Sequence, residues 1–163
     1  MNEAARIYHG GCLCGAVRYR VRIERPEGYY CHCRMCQLAF GSVFAPWVNV
    51  AAADVEWQAE QPRRYASSRI AERGFCPHCG TPLSFQFADS PRLDLSIGSF
   101  DDPSAIPPTS HFAIETRVAN WHTPDGLPEQ RADAFEALNA RWKSAYGDAP
   151  PALATVRGDR SKG

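Results

Sequence analysis

The 163-residue chain has no surplus of charge of either sign, since lysine plus arginine and aspartate plus glutamate both number 18. Without a basic field to hold a phosphate backbone, no nucleic-acid partner is expected. Long apolar runs are missing as well. Nowhere do about eighteen apolar residues follow one another, so no membrane-spanning helix is expected. The opening MNEAARIYHGG lacks both the basic and the apolar region of a secretory leader, and the expectation is a soluble cytoplasmic protein. At this length one domain with a real core is favoured over two.

Cysteine is what the chain does have, at seven positions. In a reducing compartment thiols stay free unless a metal or a reaction uses them, so disulfides are the least favoured reading. The seven fall into Cys12 and Cys14 as C-x-C, Cys31, Cys33 and Cys36 as C-x-C-x-x-C, and Cys76 and Cys79 as C-x-x-C. Two or three thiolates on a short loop is metal geometry. A closed zinc site needs four ligands at about 2.3 Å, and one C-x-x-C supplies two. Cys12 and Cys14 are the natural complement to Cys76 and Cys79, with Gly11, Gly15 and Gly80 giving room for the turns. Cys31, Cys33 and Cys36 then stand one ligand short, the form of a site with an exchangeable position. Three sulfurs make zinc a weak Lewis acid, better suited to binding a thiol than to ionising water. Two other readings stay open: closure by His32, His78, His111 or an aspartate into a second structural site, and a dithiol couple at Cys33 and Cys36.

Around these loops the pattern is that of short strands. Residues 16–23, AVRYRVRI, alternate apolar and polar side chains, the mark of a half-buried strand. Further strands are expected over 42–50, 55–58, 63–67, 72–75, 83–87 and 93–96, with Pro46 pushing its strand to an edge or a bulge. A short helix is expected from Cys33, a single turn over 101–105, and one longer helix at about 130–146, stopped by Gly147. Residues 148–163 carry prolines, glycines and charges without period and read as a flexible tail.

Three longer stretches, GGCLCGAVRYRV at Gly10 to Val21, YCHCRMCQLAFGSVFAPWV at Tyr30 to Val48 and GFCPHCGTPLSF at Gly74 to Phe85, resemble the cysteine motifs of the glutathione-dependent formaldehyde-activating enzyme family, which also includes centromere protein V. The resemblance continues through DLSIGSFDDPSAIPPTSH at 94–111 and DGLP at Asp125 to Pro128, covering roughly 10–128 within a domain of 1–147. It implies a mainly β fold, the β-tent, of short antiparallel sheets carrying zinc, and the apolar stripe of the expected C-terminal helix is expected to pack on the sheet. It also implies two zinc ions: a structural one on Cys12, Cys14, Cys76 and Cys79, and a catalytic one on Cys31, Cys33 and Cys36. The activity it implies is that of a carbon-sulfur lyase acting on S-hydroxymethylglutathione, with a small-molecule thiol such as glutathione as partner; the oligomeric state is left open. Gln37 departs from the basic residue that relatives often carry there, and HTP is inserted before Asp125.

If that chemistry holds, a donor must stabilise or protonate the developing alkoxide. His32 in the ligand loop is the first candidate, against a role as a brace turned away from the metal. His111 is the second, against a structural histidine. Arg34, between two ligands, would offset thiolate charge or bind a carboxylate, against a solvated surface arginine. Phe44 and Trp47 would line a pocket wall or the sheet core. A non-catalytic zinc module that binds a partner protein is the competing function.

Overall fold

The computed structural model describes residues 5–147; the expected tail at 148–163 lies outside the described residues. Two sheets form. The smaller has the order β1-β2-β5, from β1 (Arg6–Gly11), β2 (Val17–Ile23) and β5 (Val55–Ala59), all antiparallel. In β2 the alternation has its predicted outcome: Val17, Tyr19, Val21 and Ile23 are buried, while Arg20 and Arg22 are exposed and pair with Glu56 and Asp54.

The larger sheet is built from β3 (Gly28–Cys31), β4 (Ala45–Ala51), β6 (Arg63–Ser68), β7 (Ala71–Phe75), β8 (Pro82–Phe87), β9 (Arg92–Ser96), β10 (Pro108–Phe112) and β11 (Glu129–Gln130). Its order is β11-β10-β3-β4-β9-β8-β7-β6. Neighbours are antiparallel except β10, which runs parallel to both β3 and β11. One face meets the small sheet in a core of Val17, Tyr19 and Val21 against Val48, Leu93 and Leu95. The other face gathers Cys31, Ala45, Trp47 and Ala71 under α2 (Glu136–Tyr146), which contributes Leu138 and Trp142. Both faces of this sheet are therefore covered, as a stable layered architecture requires.

Some expectations shift. Pro46 sits in a central strand, not at an edge or bulge: it opposes Tyr30 of β3, and the ladder to β9 starts only at Trp47. Its missing N–H thus falls before the second neighbour begins. The strand starts at Ala45 because α1 (Arg34–Phe40) and its left-handed cap at Gly41 occupy the preceding residues. The long helix starts at Glu136, since Glu129 and Gln130 pair with β10 instead. The turn expected over 101–105 forms as a 3-10 turn at Pro103–Ala105. Among the described residues no helix is long and apolar enough to cross a membrane.

Candidate metal centres and the cavity beside them

Cys12 and Cys14 lie in the turn between β1 and β2, Cys76 and Cys79 in the turn between β7 and β8. Gly15 and Gly80 follow at φ of +81° and +76°, with nothing within 4 Å of a Cβ built on either. Backbone conformation, and not crowding, selects glycine at both. The four sulfurs all lie within 4.8 Å of one another, Cys12 to Cys14 at 3.5 Å and Cys14 to Cys76 at 3.7 Å. Zinc–sulfur bonds of about 2.3 Å arranged tetrahedrally put sulfurs about 3.8 Å apart, so the donor set fits zinc. The Val17 amide donates to Cys12 Sγ at 3.3 Å. The Thr81 hydroxyl, 3.1 Å from Cys79 Sγ, is the main cause that brings the Cys79 thiol down to about 5.

The second cluster is organised by α1. Cys33 is its N-cap, extended at φ −60° and ψ 146°, and its sulfur accepts from the Cys36 amide at 3.3 Å. This cap fixes Cys36 in the first turn, beside Cys33, in the way an oxygen side chain satisfies a free helix amide. Cys31 ends β3. The three sulfurs lie within 4.8 Å of one another, all three residues are buried, and among the described residues no further histidine, cysteine or carboxylate joins them. The three-sulfur set fits zinc with one position unfilled by the described residues. Hydrogen bonds from Cys31 and Cys33 hold the Cys36 thiol well below its ordinary range, helped by Arg73, whose Nη2 donates to Cys36 Sγ at 3.4 Å. The hydrogen bond with Cys33, then that with Cys36 and burial, push Cys31 well up.

A cavity of about 570 Å³ opens beside this trio, between the large sheet and α2. Register explains its floor. Opposed residues share a sheet face, and the pairs Tyr29↔Trp47, Asn49↔Asp94, Phe85↔Asp94 and Arg73↔Phe85 place all of these on the face that carries Cys31. Asp94 is buried. Its Oδ1 accepts from Tyr29 Oη and from Asn49 Nδ2, each at 3.0 Å, and Oδ2 has no hydrogen bond among the described residues. Burial outweighs those two donors and raises the carboxyl to about 6. Arg73, also buried, lies with its guanidinium carbon 4.9 Å from the Phe85 ring centroid.

The expected site residues separate into two groups. The seven cysteines gather as two clusters and Trp47 lines the cavity; His111 borders it, but opposes Tyr30 in register and so turns its ring to the other face of the sheet, beside His32. His32 and Arg34 do not line it. His32 follows Cys31 on the opposite side of the strand, where its ring stacks on His111 and meets Phe44. His32 and His111 share a 2.7 Å hydrogen bond, and His111 Nε2 lies 3.0 Å from Asp125 Oδ2. With His111 donating to the carboxylate, its Nδ1 accepts from His32 Nε2–H. Burial, then His111, lowers His32 to about 4, so its ring is neutral at neutral pH. Arg34 is exposed and donates to Gln37 Oε1 at 3.1 Å. Gln37 itself is buried, and its Nε2 donates to the carbonyls of His32 at 2.8 Å and Thr116 at 3.0 Å. Gln37 thus braces the ligand loop.

Sequence reasoning missed Arg73, Asp94 and Trp142. Asp94 carried a signal: an acid in the centre of the apolar strand RLDLS. Alternation puts it opposite Leu93 and Leu95, on a face that reads as solvent until α2 covers it.

A family model described as glutathione-dependent formaldehyde-activating enzyme matches residues 7–116. A curated relative, an uncharacterized lyase of Schizosaccharomyces pombe, is 38% identical over 82 residues, which are 50% of this chain and 59% of that protein. The chain therefore spans about three fifths of the length of that relative. A crystal structure of a Rhodobacter sphaeroides protein is similar with a TM-score of 0.49 and 23% identity, over 61% of this chain and 97% of that one.

Proposed function

The chain belongs to the glutathione-dependent formaldehyde-activating enzyme family, and from that membership we propose that it is a zinc-dependent carbon-sulfur lyase acting on a thiol–aldehyde adduct such as S-hydroxymethylglutathione. The observation that carries the reading is the buried trio of Cys31, Cys33 and Cys36, with no fourth ligand among the described residues, beside a cavity large enough for a small molecule. Cys12, Cys14, Cys76 and Cys79 hold the structural ion. Zinc on the trio supplies an exchangeable position that favours a thiol in its deprotonated form.

The chain's own residues supply the rest. In the cleavage direction the carbon–sulfur bond breaks, its electron pair passes to sulfur, and the hydroxyl proton leaves as the carbonyl forms. Asp94 Oδ2 takes that proton, and a carboxyl near 6 both accepts and returns it close to neutral pH. Synthesis is the same path reversed. Arg73 sets positive charge against the thiolates at Cys36, and both residues are buried, which strengthens that interaction. His32, His111 and Asp125 brace the ligand loop from behind. Seven free thiols support a reducing, cytoplasmic setting.

The test measures zinc in protein purified without chelator, before and after Cys33→Ser, together with the interconversion of S-hydroxymethylglutathione with glutathione and formaldehyde by exchange NMR. Two ions falling to one, with an enhanced rate returning to the spontaneous rate, is the expected result. A fully loaded parent that leaves the spontaneous rate unchanged refutes the lyase reading.

A further inference from the structure

Among the described residues, two buried side-chain polar atoms have no hydrogen-bond partner, Arg73 Nη1 and Trp142 Nε1. Both are donors. Arg73 is 5% exposed and Trp142 4%, and both line the cavity beside the cysteine trio. They approach it from different walls, Arg73 from β7 in the sheet and Trp142 from α2 above it. A buried donor without an acceptor is costly and rare enough to need a reason. Two on one cavity, next to a site for sulfur, share a reason: the acceptors come with the ligand.

We propose that Arg73 and Trp142 are the recognition donors of the cavity, binding oxygen acceptors, a carboxylate or amide carbonyl, on the body of the thiol whose sulfur docks at Cys31, Cys33 and Cys36. The inference rests on the reading of the trio as a thiol site. Arg73 is divided between two tasks: Nη2 holds Cys36, which leaves Nη1 for the ligand, the two donors standing on separate nitrogens of one rigid fork. Much of the remaining wall is apolar, with Phe85, Phe87, Phe112 and Leu138, so a few donors fix the orientation of what enters. A one-carbon aldehyde fills little of about 570 Å³; most of the space belongs to the thiol's body.

Calorimetric titration of the zinc-loaded protein with glutathione and with ethanethiol, which has a sulfur and no oxygen acceptor, separates recognition from docking. Trp142→Phe keeps an aromatic ring and removes the N–H. It is expected to weaken glutathione about fivefold, the worth of one neutral hydrogen bond, and to leave ethanethiol unchanged. Arg73→Lys keeps the charge but loses the two-armed fork that reaches Cys36 and the ligand together, and is expected to weaken glutathione about tenfold or more. Unchanged glutathione affinity in Trp142→Phe, or equal losses for both thiols, overturns the proposal. A parent that binds ethanethiol but not glutathione refutes recognition alone; a parent that binds neither refutes the thiol site itself.

Discussion

Replacing Asp94 by asparagine isolates one titration. The amide side chain keeps an Oδ1 to accept from Tyr29 and Asn49, so the perturbation removes a proton-binding group and little else. In the folded chain burial lifts the Asp94 carboxyl from 3.8 to about 6. Between those values the folded state keeps a proton that the unfolded state has lost. This group therefore favours folding most at low pH, and its contribution is lost as pH rises through about 6. The full span is worth about 3 kcal/mol, and about 1.4 kcal/mol of it falls between roughly pH 5 and 7.5. Urea unfolding of zinc-loaded parent and variant at several pH values gives the assay. Protonation of the thiolates affects both proteins alike and cancels in the difference. The stability of Asp94→Asn relative to the parent should rise by about 1.4 kcal/mol across that range, most of it below about pH 6, and level off above. A difference that stays flat shows that the carboxyl is not held in its neutral form, and the argument for Asp94 as proton carrier falls with it.

Gln37→Met keeps the volume but removes the two donations to His32 and Thr116; the cost should be about 2 kcal/mol, read as a fall in thermal midpoint of several degrees. Gly80→Ala forces a Cβ at φ +76° and should cost about 1–2 kcal/mol in unfolding free energy, whereas Gly98→Ala, with open space and no positive φ, should be close to neutral. Chelation of the zinc on Cys12, Cys14, Cys76 and Cys79 should abolish cooperative unfolding in calorimetry, because structural zinc binding contributes folding free energy; an unchanged transition would count against that site.

How much could be read beforehand depended on how local the signal was. The knuckles at Cys12–Cys14 and Cys76–Cys79 were legible because ligand spacing lies within a few residues. The strand β2 was legible because one face is buried and the other wet. β3 and β10 were not: they are four and five residues long, and β10 has its neighbours in parallel, so no hairpin turn announces it. The cavity was hidden for another reason. Arg73 reaches Cys36 across 37 positions of sequence, and the face that holds Asp94 and Arg73 looks polar until α2 lies on it. His32 was visible as a residue between ligands, but strand alternation sends its ring to the side opposite Cys31, which only the pairing with β10 makes plain.

The four-sulfur cluster also joins two sheets. Cys12 and Cys14 belong to the small sheet's hairpin and Cys76 and Cys79 to a hairpin of the large one, with Cys14 and Cys76 separated by 62 positions. Closing a loop of that size by a covalent bridge would restrict the unfolded chain by about 4 kcal/mol. A disulfide doing this would be reduced in a glutathione-rich compartment. On the proposed reading, four thiolates on one ion would make the same cross-link without an oxidant, a staple that a thiol substrate would not reduce.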